Sequence, residues 1–126
     1  MIARLAMLTI RTEQMQAFAA VQRQNFVKTM TTHLLKEFRD EITGVLGTCD
    51  EPAVRAFVSH GIDSAFGYGI EDEDDVSSLV EIQAELGTGF ETRPGFEWAA
   101  KLLNNQRLTS KVKLELLIDG LSGSQS

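Results

Sequence analysis

An all-α fold is predicted by three features of the 126-residue chain. Apolar residues recur at three- and four-residue steps along most of its length. Acidic residues, proline and glycine stand where those stretches begin and end. Sustained period-two alternation and β-branched runs, the signals of strands, are missing. The expectation is one compact domain of about five helices with a long N-terminal helix. It would occupy residues 12–119, between an N-terminal extension (1–11) and a flexible C-terminal tail (120–126) rich in small and polar residues.

The first helix is predicted to open at Thr12, whose hydroxyl can accept from a first-turn amide, with Glu13 at the positive end of the dipole. Phe26, Val27, Met30, Leu34 and Phe38 extend the stripe begun by Met15 and Phe18. No glycine or proline interrupts it before Gly44, so the helix is expected to run to about residue 40. Ile42, Val45 and Leu46 then fold back as an irregular apolar turn. Asp50-Glu51-Pro52 opens a second helix, because proline lacks only an amide that the first turn leaves unpaired. Its buried face is Val54, Phe57, Val58, Gly61, Ile62, Ala65 and Phe66, and Gly67-Tyr68-Gly69 ends it. Gly61 in mid-helix implies close approach by a neighbour, taken to be the first helix.

Asp72 and Asp75 have the spacing of a capping box ahead of Val76, Leu79, Val80, Gln83 and Leu86. Gly87 and Gly89 close that third helix. Pro94 opens a short fourth around Phe96, Trp98, Ala99, Leu102 and Leu103. Thr109 or Ser110 caps a fifth, with Val112, Leu116 and Leu117 as its apolar face.

Composition removes several classes of function. A net charge of −6 argues against binding a phosphate backbone, so no nucleic-acid partner is expected. No apolar run approaches the roughly 20 residues of a membrane span, and the opening residues do not form a secretory signal, so a cytoplasmic, membrane-free protein is expected. The single Cys49 excludes an intrachain disulfide and a thiolate-rich zinc site, and its Asp50 neighbour disfavours a reactive thiolate. His33 and His60 lack ligands at metal spacing, and His60 with Asp63 on one helix face has no evident nucleophile. Phosphate-binding, dinucleotide and nucleophile-elbow motifs are missing as well. No enzyme activity, metal or cofactor is predicted.

Charge is the most informative remaining feature. Residues 50–97 hold twelve acidic residues against two basic ones, while both flanks are mildly basic. Five of the twelve are consecutive: Glu71, Asp72, Glu73, Asp74 and Asp75. Calcium loops need a glycine and alternating ligands that this run lacks. It suits a helix start, a docking surface for a basic partner, or both. Trp98, an aromatic with a polar handle, suits either the core or an interface hot spot. These six residues are the candidate partner-binding set. An apolar stripe as long as that of the first helix also suits pairing with a second copy of the chain or a partner's helix.

Several signatures fall in order: Glu13-Gln14-Met15, Gly61-Ile62, Tyr68-Gly69-Ile70, Asp74-Asp75-Val76, Leu86-Gly87-Thr88-Gly89-Phe90, and Trp98-Ala99 with Leu103. Over residues 8–118 this order resembles a family of small helical proteins encoded beside type VI secretion effectors. The resemblance implies a bacterial co-chaperone that helps an adaptor-chaperone load an effector onto the PAAR or VgrG spike. It carries no catalytic residues. An immunity protein that binds and neutralises a neighbouring toxin is the alternative, its acidic surface mimicking nucleic acid before a basic nuclease.

Overall fold

The computed structural model describes residues 21–123, which form six α-helices and no strand. These are α1 (Arg23–Glu37), α2 (Arg39–Leu46), α3 (Glu51–Gly67), α4 (Glu73–Leu86), α5 (Glu97–Leu103) and α6 (Ser110–Gly123), with a 3-10 turn at Phe90–Thr92. The expected all-α class holds. The Thr12 cap, the first part of the apolar stripe and the Glu13-Gln14-Met15 signature lie outside the described residues. None of the six helices is long and apolar enough to cross a membrane.

The first helix ends at Glu37, close to the expected end near residue 40. Phe38 leaves helical geometry at φ −128°, ψ 27°, although its amide still reaches Leu34 O at 2.8 Å. The expected apolar turn is instead a second helix, α2, which packs on α4 and buries Ile42 completely. A straight continuation of α1 would forgo that burial, so packing overrides a local sequence with no breaker in it. Gly47, at φ +76°, stops α2 where an L side chain would be strained.

Asp50 takes the extended conformation of an N-cap, and Pro52 sits in the first turn of α3. At the other end, Ile70 N–H reaches back to Ala65 O at 2.8 Å across Gly69 at φ +77°. That six-to-one bond with a left-handed glycine is a Schellman ending, and Ile70 is buried beside the helix it closes. Two side chains of α6 hold the last carbonyls of this turn. Ser110 Oγ donates to Gly69 O at 3.0 Å, and Lys113 Nζ donates to Tyr68 O at 2.6 Å.

α4 is the central helix, packing against α1, α2, α3 and α6. Gly61 makes room for it rather than for the first helix. A Cβ there would stand 2.9 Å from Val80 Cγ2 and 3.0 Å from Gln83 Oε1, both on α4. Pro94 precedes α5 by three residues instead of opening it, and the turn between them passes through Gly95 at φ +93°. Thr109 caps α6, accepting from Val112 N–H at 3.3 Å. α6 is as long as α4 and includes Gly120–Gly123, so this part of the expected C-terminal tail is helical. The Trp98 ring lies so close to Gly120 that any Cβ would strike it, which ties this last turn to α5.

Candidate functional site

Of the face expected for α6, Leu117 is buried but Val112 and Leu116 are not. Lys113, Leu114 and Leu117 point inward, whereas Val112 and Leu116 are 37% and 42% exposed. Ile118 is 46% exposed on the opposite flank, roughly 120° around the helix. Three of the four large apolar side chains exposed among the described residues therefore lie on this one helix.

The Ile118 flank faces α4. The Asp75 carboxylate at the start of α4 feels Lys111 and Glu115 near the start of α6. Ile82 and Glu85, late in α4, line a groove with Ile118 and Leu121, late in α6. The two helices therefore run side by side in the same direction. The groove measures about 350 Å³, and Phe38 lines it from between α1 and α2. Its lining is mixed: Phe38, Ile82, Ile118 and Leu121 are apolar, and Ser78, Ser122, Glu81 and Glu85 are polar. Along α4 there are five carboxylates and no lysine or arginine.

The acidic run stands at the start of the same helix, where Glu73 and Asp74 line a separate groove against Phe26 and Met30 of α1. Asp72 is the N-cap, its Oδ1 accepting from Asp74 N–H at 3.0 Å. Asp75 does not return a bond to Asp72, so the capping box is only half formed. Burial, then the neighbouring charges of Asp72 and Asp74, raise the Asp75 carboxyl above the usual aspartate value, with Lys111 opposing. Glu73 and Asp74 are exposed. Trp98 belongs elsewhere, half-buried against α6 at Gly120, so the structure does not add it to the acidic surface.

A contrasting groove of about 720 Å³ lies between α1 and α3, lined by Arg23, Lys28 and Arg55 with Val27 and Ala56. Arg23 is already engaged there, by Asp63 Oδ1 at 2.9 Å and Ser59 Oγ at 2.7 Å. That pairing removes Asp63 from any partnership with His60. His33 crosses from α1 to α4, its Nε2 2.7 Å from Glu81 Oε2. Cys49 does not sit in a purely acidic setting, since Arg39 Nη1 donates to its Sγ at 3.0 Å. Among the described residues, no three histidine, cysteine or acidic side chains gather as a metal site would require.

A buried polar cluster joins α3, the 3-10 turn and α6. Tyr68 Oη donates to Glu91 Oε2, while Lys113 binds the Tyr68 carbonyl. Glu91 and Lys113 are only 6% and 4% exposed. Burial first, and the Glu91 carboxylate second, push the Tyr68 phenol far above its ordinary value. Each polar group here ties one element to another.

No family model matches the chain, and no curated protein or solved structure is significantly similar to it.

Proposed function

We propose that this chain is a non-enzymatic co-chaperone that helps an adaptor-chaperone load a type VI secretion effector onto the PAAR or VgrG spike. One observation carries the binding role: Val112 and Leu116, one turn apart on α6, are both held out of the core. Clustered exposed apolar side chains with polar neighbours mark protein interaction surfaces. The ordered signatures from Gly61 to Leu103 supply the secretion context, by resemblance.

The five carboxylates of α4 favour a second reading, an immunity protein presenting an acidic face to a basic toxin. Co-expression with each neighbouring gene product separates the two. A co-chaperone co-purifies with the adaptor-chaperone and is dispensable for survival. An immunity protein binds the toxin directly, and cells die without it.

A further inference from the structure

We infer that the groove between α4 and α6 receives a basic amphipathic helix of a partner protein. The inference rests on the reading of the chain as a protein-binding module, and it adds the location and chemistry of the contact. Ile118, Ile82, Leu121 and Phe38 are the apolar side chains lining this groove between two parallel helices. A third helix laid along such a groove presents anchors at every third or fourth position. Ser78, Ile82 and Glu85 mark two helical turns of α4, so the contact extends roughly 10 Å along its axis.

Charge selects the occupant. The lining offers Glu85 and Glu81, the latter shared with His33 Nε2 at 2.7 Å, and Asp75 stands nearer the start of the same helix. Against these acids the adjoining face of α6 contributes Lys111, and Glu115 adds another carboxylate. An acidic helix would meet repulsion along the whole groove, whereas lysines or arginines flanking an apolar stripe would find a carboxylate on either turn. The groove between α1 and α3 has the opposite lining and serves as an internal control.

The test uses the full chain and a pair of labelled model peptides of about four turns, long enough to cover the groove. One carries leucine along one face and lysine or arginine beside it. Its twin has glutamate at every basic position. Fluorescence anisotropy is expected to show saturable binding of the basic peptide, at least tenfold tighter than the twin and weakening as salt rises. Ile118→Glu and the double change Glu81→Gln with Glu85→Gln should each weaken it about tenfold, and Lys28→Glu in the other groove should leave it unchanged. Far-UV circular dichroism verifies folding, and Ile118→Ala is the milder variant if Ile118→Glu unfolds.

Failure of the basic peptide to bind, equal binding of both peptides, or indifference to the groove changes overturns the inference. So does a dimer that Ile118→Glu dissociates, since the groove would then seat a second copy. These results leave co-purification with the adaptor-chaperone as a separate measurement. A chain that binds the basic peptide but neither gene-neighbour product refutes the proposed function alone.

Discussion

Replacing Gly61 by Ala tests the closest helix contact in the core. The new methyl would stand 2.9 Å from Val80 Cγ2 and 3.0 Å from Gln83 Oε1, against about 3.5–4.0 Å for a comfortable carbon contact. Val80 and Gln83 are both fully buried, so α3 and α4 must separate by several tenths of an ångström or Val80 must leave its rotamer. Overpacking of that kind costs about 1–3 kcal/mol. Alanine returns about 1 kcal/mol over glycine within a helix. The net effect is a loss of about 1 kcal/mol, a drop of roughly 3–6 °C in Tm for a domain this size. Val80→Ala removes the obstructing methyl groups at a cost of about 2 kcal/mol. In that background the closest contact disappears and only Gln83 Oε1, at 3.0 Å, still crowds the new methyl, so Gly61→Ala should be about neutral there, the propensity gain offsetting what crowding remains. Urea unfolding of all four proteins by far-UV circular dichroism reads the cycle. A Gly61→Ala effect of the same sign and size in both backgrounds would refute the proposed packing of α3 on α4.

Three other outcomes follow from the polar and charged groups. Tyr68 is the sole tyrosine, so phenolate absorbance reports it directly, and no ionisation is expected near pH 10 while the protein is folded. Because the unfolded phenol releases its proton first, stability falls as pH rises above about 10. Tyr68→Phe removes that slope, and Glu91→Gln lowers the native phenol's value only part-way because burial is the larger cause. The raised Asp75 carboxyl works the same way at acid pH: its stabilising contribution is complete below about 3.8 and lost as pH rises through the higher folded value. Wild type should therefore gain stability relative to Asp75→Asn as pH falls from neutral, measured by urea midpoints across a pH series. Neutralising exposed Glu73 and Asp74 to Gln and Asn should slow association with the proposed adaptor-chaperone partner and flatten its salt dependence in stopped flow. The fold should lose no more than about 1 kcal/mol per site through the helix dipole.

Helix ends were legible in the sequence wherever backbone chemistry is local. Gly69 and Gly87 close helices at positive φ, and Asp72 and Thr109 cap them through their own side chains. The bend at Phe38 was not legible, because nothing at residues 37–39 forbids a helix and the cause is distant packing of Ile42. The same limit misassigned Gly61, whose glycine announced a close neighbour without saying which helix it was. For α6 the apolar residues fall on nearly every side. Leu114, Leu117 and Leu121 share the inward face, and buried Lys113 conceals the pattern by reaching the Tyr68 carbonyl. The acidic run was visible as charge alone. The groove was not, since its apolar lining joins Phe38, Ile82 and Ile118 from three elements that only the tertiary fold brings together.

Deletion of the gene in the organism that encodes it, followed by measurement of effector export, tests the proposed co-chaperone role most directly. The effector should remain in the producing cell, unloaded, with export restored by the wild-type chain and the deletion strain surviving. Undiminished export would contradict the role, and death of the deletion strain by its own toxin would establish the immunity reading in its place.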